Sequence, residues 1–224
     1  MKMHPTGLVF TFALSIFYSC LSYAASVLVI DSQGKALENA VISLPSVAKQ
    51  AETSVAIMDQ IKQQFSPRVL SVSQGQPVSF PNSDNVRHHV YSFSKAKPFE
   101  IKLYSGTSTS PVVFDNPGII VLGCNIHDNM VGYILVNDGY WSALSAKNGV
   151  ISLPPLTETT TATVWHPLMS EDSTQVKKVI LSAKQLSQND AITITLDVTP
   201  IADKKINSFK RRFKRDNKTD AYDN

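Results

Sequence analysis

Apolar and polar positions along this chain repeat mainly with a period of two. Phe99-Glu100-Ile101-Lys102-Leu103-Tyr104 and Ile192-Thr193-Ile194-Thr195-Leu196-Asp197-Val198 alternate along their length. On an extended backbone that alternation sends apolar side chains to one face, which predicts half-buried strands. Val27-Leu28-Val29-Ile30, Ala40-Val41-Ile42-Ser43-Leu44 and Gly118-Ile119-Ile120-Val121-Leu122 are instead short unbroken apolar runs. Runs of that length between turn residues read as more deeply buried strands. Phe65 to Val72, Pro77 to Phe80, Val86 to Phe93, Val112 to Phe114 and Val131 to Val136 add further strands, separated by Gly, Pro and Asn. Between Val55 and Val136 no stretch has helical periodicity. The fold class expected is all-β, and many short strands with such turns predict a β-sandwich.

The first two strands pose a problem. Val27–Ile30 and Ala40–Leu44 flank the turn Asp31-Ser32-Gln33-Gly34 and read as a hairpin, yet two strands alone cannot bury a core. Beyond Val136 come Gly149-Val150-Ile151-Ser152-Leu153-Pro154, then Thr161-Ala162-Thr163-Val164-Trp165-His166-Pro167, then the alternating strand from Ile192. These are the available partners. The organisation expected is a discontinuous β-domain, residues 25–52 plus 137–200, with residues 53–136 inserted as a second one.

Composition changes the picture only at the two ends. The chain has 224 residues, 43% of them hydrophobic, with a formal charge of +3. That excess is local to Lys204, Lys205, Lys210, Arg211, Arg212, Lys214 and Arg215, so no nucleic-acid partner is expected. The segment 201–224 reads as a solvated, disordered basic tail. Ile206, Phe209 and Phe213 fall at helical spacing among its cations, which leaves weak contact with a membrane surface open. At the other end Lys2, the apolar run Gly7–Leu21 and the small residues Ser22-Tyr23-Ala24 predict a signal peptide over 1–24. The run is too short to favour a membrane span, and export to a periplasm is expected. Cys20 follows Phe17-Tyr18-Ser19, a poor lead-in for lipidation.

Of the two cysteines, only Cys124 remains once a signal is removed. An odd thiol in an oxidising compartment calls for bridging, reaction or ligation. Cys124-Asn125-Ile126-His127-Asp128-Asn129-Met130 suggests the last. Thiolate and thioether are soft ligands and imidazole is borderline. One Cys, two His and a weak axial Met form the set that selects copper in a trigonal electron-transfer site. A buried structural thiol is the plain alternative, but it leaves His127 and Met130 unexplained. A Cys-His nucleophilic pair needs an oriented base and an oxyanion donor, and neither is evident in the sequence. Zinc is disfavoured by the thioether. The second histidine is His88 or His89; successive strand residues face opposite ways, so only one of them can reach the ion.

The stretch from about Val55 to Val136, with its short Cys-x-x-His-x-x-Met loop and Arg87-His88-His89-Val90-Tyr91-Ser92, resembles the cupredoxins, the family of plastocyanin and amicyanin. It looks most like the plastocyanin-like proteins associated with methylamine utilisation. The likeness implies a Greek-key β-sandwich and one type 1 copper bound by His88, Cys124, His127 and Met130. His88 is chosen because His88-His89-Val90 fits the register of the family's His-Asn-Val, which puts His89 in the place of the Asn. The flanking segments resemble a smaller transthyretin-like, or carboxypeptidase-regulatory, β-sandwich. The functional expectation is an exported monomer that carries single electrons to a protein redox partner and is not an enzyme. A periplasmic copper-delivery protein is the alternative. An extracellular assembly module with a vestigial site is a third reading, and it leaves four matched ligands idle.

Overall fold

The computed structural model describes residues 25–106, 110–170, 173–188 and 192–199. The expected signal peptide with Cys20 and the basic tail lie outside them. Strands β1 (Ser26–Asp31) and β2 (Val41–Ala48) come first, then the short β3 (Ala56–Ile57), β4 (Asp59–Ile61) and β5 (Gln64–Ser66). β6 (Val69–Ser73), β7 (Pro77–Ser79), β8 (His88–Ser92), β9 (Phe99–Tyr104) and β10 (Val112–Val113) lead to the longer β11 (Gly118–Cys124) and β12 (Val131–Asn137). β13 (Tyr140–Leu144), β14 (Val150–Ser152), β15 (Thr160–Trp165), β16 (Val176–Leu181) and β17 (Ile192–Leu196) complete the order. One short helix, α1 (Ala183–Ser187), precedes the last strand and is capped by the Ser182 side chain. The described chain is all-β apart from that turn.

Two groups of sheets result. Strands from the middle of the chain form a five-stranded sheet, β6-β12-β11-β8-β9, and a three-stranded sheet, β10-β7-β3. The core between them contains Val78, Phe80, Val90, Phe114, Ile120, Leu122, Ile134 and Val136. Strands from the two ends form β14-β1-β17 and β13-β2-β15-β16 around a separate core. β4 and β5 make a hairpin of their own.

One expectation is corrected here. The first two strands are not a hairpin: β1 pairs with β14 and β17, while β2 pairs with β13 and β15. Val27 and Val29 of β1 and Ile42 and Leu44 of β2 meet in one core with Ile151, Val164, Ile194 and Leu196. Facing each other across a sandwich, two apolar strands cover one another. Side by side in one sheet they would share a face still needing cover.

The unbroken apolar runs of β11 and β12 have a physical reason. Ile120, Leu122 and Cys124 of β11 and Ile134 and Val136 of β12 face the inner core. Their neighbours Ile119, Val121, Tyr133 and Leu135 turn to the other face and pack with Val41, Val69 and Trp165. The Tyr133 and Trp165 rings meet edge-on at 5.7 Å, and Trp165 Nε1 donates to Ser173 O at 2.7 Å. A sheet buried on both sides must be apolar on both sides. Each fully buried Leu or Val there contributes about 1.5–3 kcal/mol.

Next to Trp165, the buried His166 accepts from Leu168 N–H and sets its Nε2 3.2 Å from Glu38 O. Burial holds its pKa below the usual 6.5 against the Glu38 bond, with a smaller depression from Arg68. It is a histidine with a structural role, remote from the metal loop in sequence.

Two tests follow from this packing. Gly149 has φ +77°, and a Cβ there would lie 2.5 Å from Val29 O. Gly149→Ala should therefore cost about 1–3 kcal/mol, read as a lower urea midpoint. An unchanged midpoint would mean that the turn before β14 does not press on β1. The depressed His166 pKa means the unfolded chain takes up a proton first as pH falls. The stability owed to neutral His166 is thus complete above pH 6.5 and is lost as pH falls through its lower folded value. His166→Gln should flatten the stability profile between pH 6.5 and that lower value, and a profile that keeps its slope in that window would contradict this assignment.

Candidate metal centre

The site forms where β8 and β11 run antiparallel, with Cys124 opposite Val90 and Gly123 opposite Tyr91. Alternation then sets the faces. His88 and Val90 share the inner face with Cys124, while His89 and Tyr91 point the other way. His88 is fully buried and Cys124 is 4% exposed. Gly123 matters to this pairing, since a Cβ there would come within 2.7 Å of the Tyr91 ring.

After Cys124 the chain leaves the sheet and turns back. Met130 N–H donates to His127 O at 3.0 Å, which closes the turn and returns His127 towards the strand end. His127 is half-buried, Ile126 beside it is 50% exposed, and Met130 is buried in the same core cluster as Cys124.

Three donor atoms converge. Cys124 Sγ lies 3.7 Å from His88 Nδ1 and 3.9 Å from His127 Nδ1, and the two Nδ1 atoms are 3.2 Å apart. Metal bonds to imidazole and thiolate are about 2.0–2.3 Å long, so donors sharing one ion at angles of roughly 105–120° stand about 3.2–4.0 Å apart. The triangle has the size of a single mononuclear site. The donor set also fits copper, being one soft thiolate and two imidazoles with a buried thioether in the adjoining loop. Asp84 and Asp128 are not in the cluster, which is His88, Cys124 and His127.

His89 is elsewhere. Its Nε2 lies 2.9 Å from Glu100 Oε1 on β9, and its ring meets Tyr91 edge-on at 5.9 Å. It does not reach the cluster.

A polar layer beneath the site holds the approach to β8. Asn82 Nδ2 donates to Val86 O and Tyr104 O, both at 2.9 Å. Tyr104 OH donates to Phe80 O at 2.5 Å and also meets Gln60 Nε2. Burial pushes the Tyr104 hydroxyl up to about 12, helped by the Asp59 and Cys124 charges and opposed by the Gln60 contact. Above the loop lies an open cleft of about 590 Å³, between Lys62–Gln64 of the β4–β5 turn and residues 125–130.

One residue beside the site is absent from the ligand set expected from the sequence. Asp84 Oδ2 lies 2.8 Å from His88 Nε2, and the carboxylate is 11% exposed. Partial burial raises its pKa, but bonds from Gln63 N–H, His88 and Lys62 N–H outweigh that and leave it below 3.8. A carboxylate four residues before a histidine was the available signal. Across a turn that spacing has no fixed geometry, so it predicts nothing until the fold is known.

No protein-family model and no curated protein matches the chain. Among solved structures it is similar to the copper-containing nitrite reductase of Thermus scotoductus SA-01, at 26% identity over 41% of this chain and with a TM-score of 0.36. It spans only 24% of that reductase. It is also similar to a reduced Cu(I) amicyanin variant, at 18% identity over 43% of this chain and 98% of that one, with a TM-score of 0.35. A purple cupredoxin from Nitrosopumilus maritimus shows 22% identity over 38% of this chain and 99% of that one, with a TM-score of 0.30.

The geometry separates the two adjacent histidines by experiment. His88→Ala removes a donor and should weaken copper binding by more than the roughly 10–100-fold cost of losing a partner outside the coordination sphere. His89→Ala should leave affinity within that range or unchanged. Competition titration with a chelator measures both, and the reverse order would move the β8 register by one residue.

Proposed function

We propose that this is an exported type 1 copper protein that carries single electrons between protein redox partners. The observation that carries the reading is the buried triangle of Cys124 Sγ, His88 Nδ1 and His127 Nδ1 at single-ion spacing. Copper in such a site supplies a one-electron Cu(I)/Cu(II) couple. The chain's own residues hold and shield it. Cys124 would provide the thiolate, His88 and His127 the imidazoles, and Met130 a weakly held thioether.

Cys124 and His88 come from neighbouring strands of one sheet, and His127 from a loop closed by the Met130 bond. That frame favours one ligand geometry for both oxidation states and so limits rearrangement on electron transfer. The half-buried His127 edge, beside exposed Ile126, is the exit towards a partner. No substrate needs to be bound or converted, and a monomer suffices. Export and a periplasmic location are part of the proposal and rest on the N-terminal apolar run. The domain division is part of the proposal too: residues 53–136 as the cupredoxin, 25–52 plus 137–200 as a transthyretin-like host. Separate cores for the central and the terminal strands support it.

The test is the purified full chain loaded with Cu(II). Intense visible absorption from copper–thiolate charge transfer is expected, and Cys124→Ser should abolish it, because a hydroxyl cannot replace the soft thiolate. Reduction and reoxidation should return the colour with the metal retained. A Cys124→Ser chain that keeps the absorption would sink the site as drawn. Release of copper on reduction would sink the shuttle in favour of copper delivery.

A further inference from the structure

Asp84 does more than touch His88. Its Oδ1 accepts the Lys62 N–H at 2.5 Å, and its Oδ2 accepts both the Gln63 N–H and His88 Nε2 at 2.8 Å. Lys62 and Gln63 form the tip of the β4–β5 hairpin and have φ of 54° and 58°. Two consecutive non-glycine residues in the left-handed region are unfavourable unless their surroundings hold them there, and such strain concentrates at functional positions. Here the turn aims two successive backbone N–H groups at one carboxylate.

The same turn is tied down from its base. Asp59 Oδ2 accepts from Ser83 Oγ at 2.8 Å, Gln60 N–H donates to Pro81 O at 3.1 Å, and Ser83 N–H donates to Gln60 O at 3.1 Å. The hairpin is thus laced along the segment that leads into β8, and its tip forms one wall of the cleft over the metal loop.

The chemistry at His88 follows from the acceptor. An ionised carboxylate only accepts, so the proton of the neutral ring sits on Nε2. That leaves the Nδ1 lone pair facing Cys124 Sγ at 3.7 Å and His127 Nδ1 at 3.2 Å. Ligand histidines are commonly held in this way by a carboxylate on their second nitrogen.

We infer that Asp84 is a positioning residue: it locks His88 in the tautomer that presents Nδ1 to the cluster, and ties that ring to the Lys62-Gln63 turn. The inference deepens the copper reading, on which its affinity arm rests, while its tautomer arm stands on the metal-free chain alone.

The experiment is nitrogen-15 spectroscopy of the imidazole rings in the metal-free full-length protein at mildly alkaline pH, beside competition titration with copper alone. His88 should carry its proton on Nε2 in the parent chain. In Asp84→Asn the ring should become a tautomer mixture, the Lys62 and Gln63 amide resonances should shift, and copper affinity should fall about 10–100-fold. A parent His88 protonated on Nδ1 would overturn the inference whether or not the variant folds. So would an Asp84→Asn chain that folds, keeps the pure Nε2–H form and binds copper as before. Should the parent chain bind no copper while its His88 tautomer still depends on Asp84, the functional reading fails and the positioning role holds.

Discussion

The antiparallel pairing of β8 with β11 is the constraint on which the centre depends. With Cys124 opposite Val90, the pleat puts His88 and Cys124 on one face and gives His89 to the other. A slip of one residue would exchange the two histidines and turn Val90 out of the core with them. Val90 is fully buried with Ile120 and Leu122, so hydrophobic burial enforces the register that the ligands need. The metal-binding geometry is then a by-product of packing that the apolar residues stabilise in any case.

That sheet is held from both sides. The inner faces of β11 and β12 look onto the core that contains Cys124, and their outer faces, through Tyr133 and Leu135, onto Val41 and Trp165. Strands from the two ends of the chain reach that outer side: Val41 belongs to β2 and Trp165 to β15. Covering the outer face removes the freedom a half-exposed sheet would have to twist or breathe. For the electron carrier proposed above this would be useful, because rigidity in the ligand frame lowers the rearrangement that each transfer requires.

At the open end of the sandwich His127 and Ile126 approach solvent beside the β4–β5 turn. There the structure substitutes hydrogen bonds for apolar burial. Asp84 collects three donors from two segments that are far apart in the chain, and Asn82 and Tyr104 pin the strand that follows. Such bonds are directional, so they set the rotation of the His88 ring as well as its location.

The ligand types and the all-β class were legible in the sequence because each rests on short-range information. Alternation over six residues reports a strand face, and Cys124, His127 and Met130 lie within a single loop whose donor chemistry can be read directly. The need of the first two strands for distant partners was also legible, from the impossibility of a two-stranded core. Their mutual arrangement was not: as a side-by-side hairpin or as facing strands of a sandwich they bury the same residues, and only the partners β14, β17, β13 and β15 decide. Nor was Asp84 legible. Its position relative to His88 depends on a hairpin tip twenty residues away, and a side chain in a turn has no periodicity to betray its direction. Residue chemistry and local period came from the chain itself; the choice among equivalent pairings, and the aim of each polar group, came from long-range contacts that exist only once the sheets have assembled.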